Sequence, residues 1–157
     1  MTAAVTGTLL TACKDNQKAD VIKENTTSEV SAPAGENPVI QQQGDLIAEA
    51  QSKPLTNLVL SENHYEFGKI KKGDVKEHVY EVTNTGDNPL IISAVKPGCG
   101  CTAPEYTKEP ILPGQKGQIT LKFDSANFDG LVNKQAEVYA NVEKTPILIT
   151  FSADIQP

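Results

Sequence analysis

Two cysteines separated by a single glycine, Cys99-Gly100-Cys101, are the residues whose type and spacing point most directly to chemistry. Residues two apart in an extended segment project to the same side, so the two thiols can meet. Gly98 and Gly100 are expected to relieve the backbone around them, and Thr102 closes the motif loop. Three readings stay open. A disulfide would staple the fold weakly, because so small a loop removes only about 1.6 kcal/mol of chain entropy. A strained ring of this kind is also easily reduced. A two-thiolate Cu(I) site is chemically sound. Zinc wants four ligands, and the only histidines, His64 and His78, stand at no recognised ligand spacing. The third reading is a pair of small, partly buried thiols that pack as hydrophobes. Thioredoxin-like exchange needs Cys-x-x-Cys at a helix N-terminus, whereas Pro104 to Thr107 reads here as loop.

Other chemistry finds little support. The chain has no Gly-x-Ser-x-Gly, His-Glu-x-x-His, P-loop or dinucleotide glycine fingerprint. Glu77 and Glu81 read as a solvated sheet face rather than an acid/base pair, and both histidines read as exposed strand residues. No catalytic residue, metal site or cofactor is expected. A net charge of −6 without any Lys/Arg cluster argues against nucleic acid as a partner. So does an aromatic content of 5% without Trp, which leaves no stacking platform for bases.

The third cysteine has a separate explanation. Met1 to Ala12 is uncharged and leans apolar, ends in Leu10-Thr11-Ala12-Cys13, and gives way at once to Lys14-Asp15. This resembles a bacterial lipoprotein signal, in which small residues precede the cut and the cysteine becomes an acylated N-terminus. Residues 1–12 are then a signal, Cys13 the lipidation site, and the address the cell envelope. No basic residue precedes the apolar run, as a signal normally requires, so the true start is expected upstream of Met1. Two or more acyl chains anchor stably, where one holds only marginally. Lipidation of Cys13 also leaves Cys99 and Cys101 as the remaining pair.

Residues 13–54 read as a flexible tether, rich in Ser, Thr, Asn, Gln and Glu and too polar to offset chain entropy. As a coil it would span about 35 Å. Asp45–Ser52 shows two marginal helical turns, with Leu46, Ile47 and Ala50 on one side.

Residues 55–156 change to a period of two. Tyr80 and Val82 alternate with Glu77, Glu81 and Thr83. Ile119, Leu121 and Phe123 alternate with Gln118, Thr120 and Lys122, and Ile147 to Ile155 continues in the same way. Turns at Lys72-Gly73-Asp74, Gly86-Asp87-Asn88-Pro89, Pro113-Gly114 and Asp129-Gly130 separate the runs. About seven or eight strands with one apolar face each need a second sheet to cover that face. The expected fold is an all-β, immunoglobulin-like sandwich, with a closed barrel as its rival.

The ordered motifs Phe67-Gly68-x-Ile70-x-x-Gly73, Val82-x-Asn84-Thr85-Gly86, Pro89-Leu90-Ile91-Ile92, Gly98-Cys99-Gly100-Cys101-Thr102, Pro113-Gly114-Gln115 and Phe123-Asp124 carry a resemblance. They are similar to the bacterial family of domain of unknown function 1573, common in envelope lipoproteins of Bacteroidetes-like bacteria. The resemblance implies an immunoglobulin-like sandwich and no assigned activity. Tyr80 stands where that family more often has Phe, so its hydroxyl must find a partner. The leading expectation is a lipid-anchored, non-catalytic interaction module for an unknown protein or envelope component. The alternative is a thiol redox or copper-handling domain using Cys99 and Cys101. Neither an oligomeric state nor a partner's identity is readable.

Overall fold

The computed structural model describes residues 38–157. The expected signal, the expected lipidation site at Cys13 and most of the expected tether lie outside the described residues. The chain runs α1 (Pro38–Gln51), β1 (Leu58–Leu60), β2 (His64–Lys71), β3 (Val75–Asn84), β4 (Ile92–Pro97), β5 (Thr102–Tyr106), β6 (Lys116–Asp124), β7 (Gly130–Ala140) and β8 (Ile147–Gln156). One sheet has the order β1-β3-β6-β5 and the other β2-β8-β7-β4. All pairings are antiparallel except β2 with β8. The fold is therefore the expected immunoglobulin-like β-sandwich, of eight strands in two open sheets rather than a barrel.

The period-two pattern explains the layers. Tyr80, Val82, Ile119, Leu121 and Phe123 face inward from one sheet. Ile70, Ala136, Val138, Ile149, Phe151, Ala153 and Ile155 face them from the other. Phe123 and Phe151 meet with ring centroids 5.1 Å apart, which joins the two sheets at the centre. Each buried Val, Leu, Ile or Phe among them contributes roughly 1.5–3 kcal/mol by leaving water. The Tyr80 hydroxyl donates to the Thr150 carbonyl at 2.7 Å, so a phenol sits in the core at no polar deficit. Burial, with the Glu62 carboxylate and Tyr65 nearby, pushes the Tyr80 phenol well above its ordinary range.

Two buried asparagines hold one end of the sandwich. Asn84 donates to Asn88 O and Ile111 O and accepts from Thr56 Oγ1 and Gly86 N. Asn141 donates to Pro54 O and Pro89 O and accepts from Ile91 N. The backbone comes so close there that a Cβ on Gly86 would collide with Thr56 and the Asn57 amide. At the other end, Ser125 donates to Lys71 O and Asp74 O.

Two elements differ from the sequence expectation. Pro104 to Tyr106, read as loop, belongs to β5 and pairs with β6 through Leu121, Thr120 and Ile119. Where the tether shows two marginal helical turns, the structure has the 14-residue helix α1. A helix of this length is marginal alone, and packing supplies the rest. Ala50 is fully buried, Leu46 and Ile47 are half-buried, and Gln51 donates to Glu143 O. Pro38 suits the first turn, since its missing N–H is not needed there. Pro54 lies just beyond the last turn, where helices commonly stop.

Candidate functional site

Cys99 and Cys101 lie in the four-residue passage from β4 to β5, where the chain leaves one sheet for the other. The structure joins them as a disulfide, with Cα atoms 5.3 Å apart. The Gly98 amide donates to Gln135 O, and the Asp124 amide donates to Cys101 O, so each sheet grips one side of the corner. Thr102 is buried, with its Oγ1 at 3.7 Å from Cys99 Sγ and 3.8 Å from Cys101 Sγ. Disulfide sulfurs carry no proton, so the Thr102 hydroxyl is the donor. Both cysteines are half-buried, and Cys101 packs against the core.

The motif glycines have different reasons from those expected. Neither Gly98 nor Gly100 has a positive φ. A Cβ on Gly98 would press against the Gln135 side chain at 3.3 Å, while Gly100 faces open space. Close packing therefore accounts for Gly98, and nothing in the structure explains Gly100.

The other candidates are dispersed. His64 is exposed and bonds Thr150 Oγ1 through Nδ1 and Ser152 Oγ through Nε2. His78 departs from its reading as an exposed residue. It is half-buried, stacks on Tyr65 with centroids 3.5 Å apart, and pairs through Nε2 with Glu62 at 2.9 Å. Glu77 and Glu81 share the outer face of β3, where Glu81 pairs with Lys116 at 2.6 Å. Among the described residues, no group of three or more His, Cys, Asp or Glu side chains is placed to hold a metal ion. Among them, too, no helix is long and apolar enough to cross a membrane.

A model of the family described as protein of unknown function (DUF1573) matches residues 58–155, more than half of the chain. The chain belongs to the DUF1573 family. No curated protein matched it. Among solved structures, a protein of unknown function from Porphyromonas gingivalis W83 is similar, with a TM-score of 0.57 and 18% identity. That match covers 67% of this chain and 48% of the other, so the chain spans about half the length of that protein. The ASH/PapD-like domain 7 of human CEP192 is similar at a TM-score of 0.50 and 11% identity, covering 85% of this chain and 98% of that domain. The VesB protease of Vibrio cholerae gives the same TM-score and identity over 74% of this chain and 35% of its own. At these identities the likenesses speak to fold alone.

The DUF1573 match begins after α1, and this helix covers a surface that sequence reasoning leaves open. Tyr139 belongs to the polar face of β7 by alternation, yet only 1% of it is exposed. α1 lies against it, and a shallow cavity of about 290 Å³ remains between Val39, Gln42 and Leu46 on the helix and Pro97, Glu137 and Tyr139 beneath. The Tyr139 hydroxyl donates to Glu137 at 2.7 Å. Burial, then the Glu137 carboxylate, holds its phenol above the ordinary value, partly offset by Gln43. An aromatic residue at an outward strand position, Tyr139, is the sequence signal on the sheet for such a cover.

Proposed function

We propose that this chain is a lipid-anchored, extracytoplasmic interaction module that binds a protein or envelope polymer without transforming it. The observation that carries this reading is how the head uses its polar groups. Its buried polar side chains, Thr56, Asn84, Thr102, Ser125 and Asn141, all bond backbone or neighbouring structural side chains within the fold. Such a head offers a partner its surface and strand edges. The Leu10-Thr11-Ala12-Cys13 sequence and the polar stretch after it support an anchored head that stands off a membrane. The test is metabolic labelling of the full-length protein with an alkyne fatty acid, followed by membrane fractionation. Label and membrane retention are expected in the native protein and lost in Cys13→Ser. Unlabelled, soluble cytoplasmic protein would refute the anchored reading.

A second reading, thiol redox or copper handling, is favoured by the cross-linked Cys99–Cys101 pair at a half-exposed corner. Thiol counting on the native protein and Cu(I) titration of the reduced protein, alongside Cys99→Ser, separate the two. Stoichiometric Cu(I) uptake lost in the variant supports the second reading, and its absence removes the copper branch.

A further inference from the structure

Strand edges are where a sandwich most readily takes on another chain, because half of their N–H and C=O groups are unpaired. Most edges of this head are blunted. On β5, Cys101 O and the Thr107 amide turn toward β6, so by alternation the backbone groups of Thr102, Pro104 and Tyr106 point away from β6 along the open edge, while their side chains turn to the core. Pro104 has no N–H to offer there. On β4, the Gly98 amide turns toward β7, which leaves Pro97 facing outward, and Ser93 O already accepts from the Tyr106 hydroxyl. β2 is bulged between Glu66 and Lys69, with Gly68 at a φ of 67°. β1 has three residues.

β3 differs. β6 pairs with it from Val75 to Thr83, but β1 covers its other side only from Val82 to Asn84. The Ser61 amide donates to Glu81 O, and Ser61 Oγ accepts from the Glu81 amide, so Glu81 turns its backbone away from β6. Alternation turns Val79, Glu77 and Val75 the same way. Neither Pro, Gly nor a bulge interrupts Val75–Val79. Their side chains stand on the outer face, where Val75 is 53% and Val79 41% exposed.

We infer that the open edge Val75–Val79 takes an extended segment of another protein as an added strand. That segment carries β-branched apolar residues at alternate positions with a Lys or Arg between them. The inference rests on the interaction-module reading and names the edge and the chemistry of the partner. Cross-strand neighbours on one face pair by type, so Val75 and Val79 select apolar side chains and Glu77 a basic one. A second copy of this edge fits poorly. The antiparallel register that sets Val75 against Val79 also sets Glu77 against Glu77, and like charges directly opposite repel.

The test uses the full chain and the acetylated, amidated peptide Thr-Val-Thr-Lys-Thr-Val-Thr, which reads alike in either direction. Amide NMR is expected to show saturable shifts confined to β3 and its neighbours, with slowed exchange at Val75, Glu77 and Val79. A peptide with Glu in place of Lys is expected to bind roughly two- to five-fold more weakly. Glu77→Lys, an exposed substitution that keeps the fold, reverses that order. Val79→Pro abolishes both, with an unchanged far-UV spectrum showing that it still folds. Shifts centred on another surface, or no reversal in Glu77→Lys, overturn the inference. If β3 is silent while in-cell cross-links to a partner arise from another face, the edge assignment fails and the module reading stands. If neither appears, both fail.

Discussion

Removal of the Asn84 side chain should be among the most damaging changes to this head that leaves its apolar core intact. Asn84→Ala deletes four hydrogen bonds at a fully buried position. The losses are unequal. Ile111 O keeps the Leu90 amide as a donor at 2.8 Å, whereas the buried Thr56 hydroxyl loses its acceptor. The buried Thr56 hydroxyl and the half-buried Asn88 O and Gly86 amide bear the deficit. An unsatisfied buried group costs about 1–3 kcal/mol, so the total is about 3 kcal/mol. For a domain of this size that is roughly 12–14 °C in Tm. Urea unfolding followed by far-UV circular dichroism measures it, with the slope m compared so that a change in midpoint reports stability. Exposed Glu105→Ala serves as the reference and should stay within about 0.5 kcal/mol. A loss under about 1 kcal/mol for Asn84→Ala would refute the view that the asparagine holds the loops.

Three further outcomes are expected. The Cys99→Ser/Cys101→Ser double variant should lose no more than about 2 kcal/mol and keep its fold, because the disulfide closes a minimal loop; urea unfolding under oxidising conditions checks this. The Tyr80 phenol is raised, so the stability linked to it is fully present below the unfolded tyrosine pKa of about 10 and falls as pH climbs toward the folded value. Tyr80→Phe should therefore flatten the alkaline decline in stability relative to the native protein, as read by denaturation across pH 9–12. Deletion of α1 (Pro38–Gln51) should uncover Tyr139 and return its phenol toward its ordinary range, visible as earlier ionisation in an ultraviolet titration compared with Tyr139→Phe.

Much of the sandwich is legible in the sequence because sheets write themselves in twos. Ile119, Leu121 and Phe123 face the core and Gln118, Thr120 and Lys122 the solvent, so period alone fixes both the strand and its face. β5 escapes that reading. Its inward positions are Thr102, Pro104 and Tyr106, a set with no apolar run, and proline reads as a loop until an edge position explains it. α1 is hidden for a different reason. Its apolar stripe is short, and the surface that stabilises it comes from Pro97 and Tyr139 on strands far away in sequence. The buried roles of Asn84 and Asn141 likewise depend on carbonyls brought from distant loops. At the candidate site, the meeting of Cys99 with Cys101 is local and readable. The open edge of β3 follows from where β1 stops at Leu60, which only the register shows.

Site-specific photo-cross-linking in intact cells asks whether the head engages a partner, and through which surface. The reactive residue would replace, one at a time, Val79 on the β3 face, Glu105 on β5, and Asn133 and Leu148 on the opposite sheet, all exposed. One discrete, saturable adduct is expected from a single surface, at Val79, and none from the others. Absence of any adduct from all four positions would contradict the interaction-module reading.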